Sequence, residues 1–268
     1  MTRIPDLATK RLRFDGFQPS DAPDLAAILA EPEVCKNINA DGSSPERCLA
    51  SAAKRIDWHN SAWHTHGYGA WAVRLADRDI APPGTLIGWC GFAEPDIGED
   101  PEIVYGLAPG CWGNGVATEA AAGAIDWLFA RTGAAGVSAI IFHRLNAASI
   151  RIVQKLGLTL RGTMALEDFY SSTELAWNVL GFERWRLSAA PFRDARTLLF
   201  ESPYRIGQLT TLGLEDGAAI LPDLCTAARR RPDFAEIDRT ELTQIVTDAF
   251  QLGVSEPYLE WYHMARPV

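Results

Sequence analysis

A carboxylate, Glu102, opens an apolar strand-like run, Ile103–Leu107. This run leads into a turn carrying Gly110, Gly113 and Gly115, then into an alanine-rich helix from about Val116. Strand, glycine turn and helix N-terminus together make an anion cradle. Glycine lets the backbone take positive φ and approach a ligand closely. The first-turn N–H groups of the helix lack intrahelical acceptors and carry the positive end of the helix dipole, so they suit a phosphate.

Spacing separates the possible phosphate ligands. Gly110 and Gly115 fit G-x-x-x-x-G, but Val116 and Ala117 stand where a nucleotide-triphosphate loop needs Lys and Ser or Thr. Gly113–Thr118 fits the start of a dinucleotide fingerprint, with Thr118 at the third glycine position. No acidic residue follows about 20 residues later to hold a ribose. Trp112-Gly113-Asn114-Gly115-Val116-Ala117 matches instead the last four positions of Q/R-x-x-G-x-G/A, the loop that binds the pyrophosphate of acetyl-coenzyme A. Trp112 stands at its Gln/Arg position. The run WGNGVATEA resembles the WGxGxATEA form of the RimJ/RimL-like branch of the GNAT acetyltransferase superfamily.

Three further segments carry the resemblance, in family order and at family spacing. Thr9-Lys10-Arg11-Leu12-Arg13-Phe14 resembles the opening strand, with Ser20-Asp21 starting a helix after it. Leu86–Phe92 resembles the I-G-x-x-G strand. Asn146-Ala147-Ala148-Ser149 with Gln154-Lys155-Leu156-Gly157 resembles N-x-x-S-x-x-x-x-E-K-x-G, with Gln154 for Glu. The resemblance covers about Arg11 to Trp185. It implies an α/β GNAT fold: a mixed, mostly antiparallel sheet flanked by helices, with a splayed central strand pair where acetyl-CoA lies. It also implies acetyl transfer to a primary amine, a protein or peptide N-terminus, by direct transfer in a ternary complex. A small polyamine, amino acid or aminoglycoside is the alternative acceptor. A catalytically silent acetyl-CoA sensor is the alternative of another class.

Acetyl transfer needs a neutral amine, a proton acceptor and stabilisation of the leaving thiolate. Glu102 is similar in position to the general base of histone-acetylating GNAT enzymes, acting directly or through water. An edge carboxylate in water, behind Asp96, Glu99 and Asp100, is the other reading. Ser149 sits at the serine of N-x-x-S, which the RimL-like branch uses as general acid. The tyrosine other members carry four residues later is Val153 here. Ser149 can equally serve the cofactor or its own backbone. Asn146 is a helix cap to which the resemblance adds a bond to the pantetheine arm. Tyr105, Gly106 and Leu107 would pair their backbone with the pantetheine amides. Trp112, Gly113, Asn114, Gly115, Val116, Ala117 and Thr118 form the pyrophosphate loop. Acceptor contacts are expected from Trp63, Tyr68 and Trp71, in the aromatic cluster that includes Trp58, His59, His64 and His66, and from Asp168 and Tyr170. His64 and His66 have no Cys or carboxylate within motif reach, so no metal is expected. Cys111 reads as incidental.

These groups need elements to hold them. Strands are expected at 11–17, 68–75, 85–92, 103–107, 137–142, 159–164 and 175–182. Helices are expected at 21–29, from the Ser44 cap to about Trp58, at 116–131 and from the Asn146 cap to Gly157. After Arg186 the pattern becomes helical, with a helix ending in Arg229-Arg230-Arg231 and another capped by Asp238. The triple arginine reads as favourable charge at a helix C-terminus or as an anion site. The expected division is an acetyltransferase domain at 1–187 and a helical extension of unassigned role at 188–268.

Hydrophobic residues are 47% of the 268, ample for a core. A net charge of −9 disfavours nucleic acid and favours cationic partners, or simply solubility. Five scattered cysteines without a C-x-x-C pair indicate reduced thiols and a cytoplasmic protein. No apolar run predicts a membrane span, and the N-terminus lacks a signal-peptide core. Monomer and homodimer both remain open.

Overall fold

The computed structural model describes residues 3–35, 38, 44–76, 82–95, 98–142, 146–166, 183–184, 186–188, 195–214 and 216–267. The first half contains β1 (Leu7–Ala8), β2 (Leu12–Asp15), α1 (Ala22–Leu29), α2 (Pro32–Cys35), α3 (Pro45–His66), β3 (Ala70–Leu75), β4 (Leu86–Ala93) and β5 (Glu102–Leu107). There follow α4 (Val116–Arg131), β6 (Gly136–Phe142), α5 (Ala147–Lys155), β7 (Thr159–Ala165), α6 (Ala195–Thr210), α7 (Gly217–Arg229), α8 (Arg239–Ser255) and β8 (Tyr258–Ala265). The strands form one sheet in the order β1-β2-β3-β4-β5-β6-β8-β7. All pairs are antiparallel except β5 with β6. No helix among the described residues is long and apolar enough to cross a membrane.

Period-two alternation builds two cores, one on each face. In β3, Trp71, Val73 and Leu75 join the core beneath α4, while Ala70 and Ala72 join the core with α1 and α3. Helix α3 begins where Ser44 accepts from the Arg47 N–H at 3.3 Å, and Pro45 occupies the first turn. It runs past Trp58, where the sequence pattern weakens, because its buried stripe continues: Cys48, Ala52, Ile56, His59 and Trp63. It ends at Gly67, which takes φ 74° and closes the helix with an N–H bond to Trp63 O.

Strands β5 and β6 pair at a single position among the described residues, Glu102 with Ser138. Beyond it β5 stays with β4 as far as Leu107, and β6 follows β8. The sheet therefore splays at Glu102. The expected strand at 175–182 lies outside the described residues. Between β6 and β7 stands β8 instead, pairing Gly136–Phe142 on one side and Thr159–Ala165 on the other. Leu259 and Tyr262 are buried there.

Helices α6, α7 and α8 enclose a third core with Leu166, Leu187 and Leu259. Helices α6 and α8 touch backbone to backbone: a Cβ on Gly207 or Gly253 would collide with the carbonyl of Phe250 or Tyr204. A buried network supports them. Arg186 bonds Glu183 at 2.7 Å and Glu201 at 3.0 Å, and Ser202 donates to Glu183 at 2.8 Å. Of the arginine run, Arg229 donates to Thr243 Oγ1 at 2.6 Å. Arg231 turns inward, bonding the Arg186 carbonyl at 3.0 Å and pairing with Asp233. The extension is thus helical to Ser255 and then contributes a strand to the main sheet.

Candidate active site

The splay opens a cleft of about 590 Å³. Glu102, Val104 and Tyr105 of β5 form one wall, Ala139 to Ile141 of β6 the other, and Asn146 and Ser149 at the start of α5 a third. Helix α3 contributes Ser51, Lys54, Arg55 and Trp58 at the i, i+3, i+4, i+7 spacing of one helix face. Leu259 reaches the cleft from β8. The fold therefore brings Glu102 and Tyr105 of β5 together with Asn146 and Ser149 at the start of α5, two elements distant in the chain.

Asn146 caps α5 as its sequence position requires, its Oδ1 accepting from the Ser149 N–H at 3.1 Å. This fixes Ser149 in the first turn. The Tyr105 hydroxyl donates to the Ser149 carbonyl at 3.4 Å, bridging β5 to α5. Burial pushes the Tyr105 phenol well above its ordinary pKa, so it stays protonated across the physiological range. Val153, one turn beyond Ser149, is buried apolar wall.

At the other end of β5, Gly113 and Gly115 adopt φ 79° and 72°, and Gly115 is the N-cap of α4. Helix geometry leaves the N–H groups of Val116, Ala117 and Thr118 without intrahelical acceptors. A Cβ at Gly113 would meet nothing within 4 Å, so the loop is open on its outer side. Trp112, in place of the motif's Gln or Arg, donates its indole N–H to the Leu107 carbonyl at 2.8 Å and fixes the exit from β5. The Leu107 carbonyl at the end of β5 thus accepts from within the loop itself. Gly106 is required for another reason: a Cβ there would collide with the Trp89 ring.

The loop is anchored by a residue to which the sequence assigned no role. Glu119 accepts from Thr9 Oγ1 at 2.6 Å, from the Arg11 N–H at 2.8 Å and from Arg11 Nε at 2.6 Å. Arg11 also donates to the Asn114 carbonyl at 2.9 Å. Burial raises the Glu119 pKa, but the bonds from Thr9 and Arg11 and the guanidinium charge outweigh it and hold the carboxyl below its ordinary value. The T-x-R-L and A-T-E-A segments belong together because one ion pair joins them. The glutamate of WGNGVATEA was the available signal.

Three expected acceptor contacts, Trp63, Tyr68 and Trp71, stand away from the cleft lining. Trp63 and Trp71 are core residues, packed edge-on against each other at 4.5 Å and against Trp127 at 5.2 and 5.1 Å. Their indole N–H groups bond the carbonyls of Ala70 and Pro5. The pattern ahead of β3 identified aromatic residues but not the sheet face they take. Tyr68 packs on His66 and Phe92 and does not line the cleft, though burial and then the charge of Glu94 raise its pKa. Asp168 and Tyr170 lie outside the described residues. Cys111 is buried, which raises its thiol pKa and removes it from nucleophilic chemistry.

Lys54, Arg55, Trp89 and Glu94 line the cleft and were not read from the sequence; Trp58 and His59 were, as part of the aromatic cluster. For Lys54 and Arg55 the missed signal was the second stripe of α3, at 51, 54, 55 and 58, which lies within the expected helix but gains a cleft to face only in the fold. His59 is 1% exposed and stacks on Phe17 at 5.7 Å. Burial and then the charge of Arg55 push its pKa well below the ordinary histidine value, so it is neutral at pH 7.

A splayed parallel pair, a carboxylate at the splay and a glycine loop at a helix N-terminus are the parts of an acetyl-CoA-dependent transferase. The model of the acetyltransferase (GNAT) domain matches residues 11–159, more than half the chain. The chain belongs to the GNAT acetyltransferase family. The uncharacterised protein YkkB of Bacillus subtilis (strain 168) is 27% identical over 175 residues, covering 64% of this chain and 90% of that protein. The uncharacterised N-acetyltransferase YoaA of the same organism is 24% identical over 177 residues, covering 66% and 95%. Among solved structures, an acetyltransferase of Agrobacterium tumefaciens str. C58 shares the fold. Its TM-score is 0.51 at 22% identity, over 73% of this chain and 92% of that one.

Proposed function

We propose that this protein is an acetyl-CoA-dependent N-acetyltransferase of the RimJ/RimL-like kind, acting on the primary amine of a protein or peptide N-terminus by direct transfer. The observation that carries the reading is the convergence of Glu102, Asn146 and Ser149 on one cleft, at the strand pair whose other end enters the glycine loop. Acetyl-CoA supplies an activated thioester. Residues 112–118 would hold its pyrophosphate, and the open edge of β5 its pantetheine arm. Glu102 takes the amine's proton, directly or through a water. Ser149 is the proton donor or hydrogen-bond donor at the thiolate, in the field of the α5 N-terminus. The cleft volume also lies in the range of small-ligand sites, which favours a small amine as the second reading. The buried, free cysteines fit a cytoplasmic protein.

Gly115→Asp tests the loop. It places a carboxylate at the N-cap of α4, where a pyrophosphate would sit. Two unit charges about 5 Å apart repel by ~3 kcal/mol at an effective dielectric of 20, so acetyl-CoA affinity should fall about 100-fold. Calorimetry on the folded variant measures this; unchanged affinity would remove the loop from the cofactor site. Binding by the wild type without turnover of any amine in a broad panel would leave a sensor rather than an enzyme.

Ser149→Ala separates chemistry from capping. A thiol leaving group has a pKa of about 8.5, so protonating it helps modestly. Turnover should drop about 10–100-fold with the melting temperature nearly unchanged, because the cap belongs to Asn146. Asn146→Ala should instead cost about 1 kcal/mol of stability and weaken acetyl-CoA binding. A Ser149→Ala protein with lowered melting temperature and normal turnover per folded molecule would make Ser149 structural. Tyr105, whose hydroxyl bonds the Ser149 carbonyl on the cleft wall, would then be a candidate proton donor.

A further inference from the structure

We infer that the acceptor carries, besides its amine, an anionic group, a carboxylate or a phosphate, and that Arg55 binds it. The inference rests on the acetyltransferase reading for the amine and on independent observations for the anion. Arg55 lines the cleft from α3. Its guanidinium lies 5.2 Å over the Trp89 ring and gives one long hydrogen bond, Nη2 to the Ile38 carbonyl at 3.4 Å. Its Nε is buried without a hydrogen-bond partner, and no carboxylate pairs with Arg55 among the described residues. A guanidinium offers five donors in a fork that matches a carboxylate or phosphate. A desolvated cation without a counter-ion is costly, and an anion arriving in the cleft would supply one. Burial already lowers the Arg55 pKa to about 10.

The surroundings agree. His59, beneath Arg55 on the same helix, also has a buried Nε2 without a partner, and being neutral it can donate to an anion without adding charge. Lys54 adds a second positive charge to the same wall. Among the described residues the acids lining the cleft, Glu94 and Glu102, stand elsewhere. Trp89, under Arg55, is paired with Gly106, whereas Glu102 is paired with Ala93, on the same face four residues along. At strand rise that is about 13 Å of backbone. Arginine and glutamate side chains reach across part of it. The spacing suits an anion several bonds from the amine, such as an acidic residue next to a peptide's N-terminal residue. The net charge of −9 favours cationic partners in bulk, but the α3 wall has the opposite sign.

The test is a matched set of short peptides, Ala-Glu, Ala-Gln and Ala-phosphoserine at their N-termini, assayed with acetyl-CoA. The wild type should prefer the acidic members over Ala-Gln by 10-fold or more in kcat/KM, and the better of the two identifies carboxylate or phosphate. Arg55→Gln should bring that ratio close to one, and Arg55→Lys should keep part of it. Because the ratio is taken on one preparation, a partly unfolded variant does not disturb it. A wild-type ratio near one, or a ratio unchanged in Arg55→Gln, would overturn the inference. If no peptide is acetylated, the peptide-acetyltransferase reading fails separately. Quenching of tryptophan fluorescence by N-acetylated Ala-Glu against N-acetylated Ala-Gln then decides the anion site. Tighter binding of the acidic peptide, abolished in Arg55→Gln, upholds it; equal binding overturns it.

Discussion

Glu102→Gln should lower turnover at saturating substrate by about 10²–10⁴-fold, the usual worth of a positioned base, and leave acetyl-CoA affinity unchanged. Glu102 stands where β5 pairs with β6, at Ser138, immediately before the sheet opens, and its side chain is half-buried in the cleft wall. Glutamine keeps the shape, but its amide replaces one acceptor oxygen with an NH2 donor and cannot take up the proton. The sign of the pH effect follows. A general base works deprotonated, so wild-type turnover falls as pH drops, and that acidic limb should disappear in the variant. Steady-state rates over pH, with calorimetry for acetyl-CoA, measure both. Near-normal turnover with an unshifted acidic limb would return Glu102 to a solvated strand edge.

A chain ending at Ser255 should fail to fold, although it retains residues 11–159 that the family model matches. The deletion removes β8 from between β6 and β7, leaving two unpaired strand edges inside the sheet. It also removes the buried Leu259 and Tyr262, each worth about 1.5–3 kcal/mol of burial. Glu256 goes with them, which accepts from the Tyr204 hydroxyl at 3.0 Å and, through its carbonyl, from Gln208 at 2.7 Å. With the lost ladder bonds these losses are comparable to the whole stability of a domain, about 5–15 kcal/mol. Insoluble expression, or a soluble product without a cooperative melt, is the expected outcome. A truncated protein with a cooperative transition and wild-type acetyl-CoA affinity would show that the sheet closes without its last strand.

The sequence by itself determined what depends on neighbours along the chain. The glycines of 113 and 115, the caps at Ser44 and Asn146 and the carboxylate opening β5 are local features, set by backbone conformation and by hydrogen bonds within a few residues. Their order and spacing carried the family and with it the class of fold. The triple arginine shows the limit of local reading: its charge suits a helix C-terminus, but Arg231 turns inward to bond the Arg186 carbonyl. Tertiary structure alone decided what depends on distant partners. Trp63 and Trp71 read like an aromatic binding wall, yet the face of β3 against α4 draws them into the core. The stripe of Lys54 and Arg55 acquires meaning only when α3 lies across Trp89. Tyr258–Ala265 becomes a central strand because α6 to α8 carry the chain back to a gap left between β6 and β7. Strand partners are chosen by surfaces brought together from more than 90 residues away, as Thr159 with His263, and no local pattern records that choice.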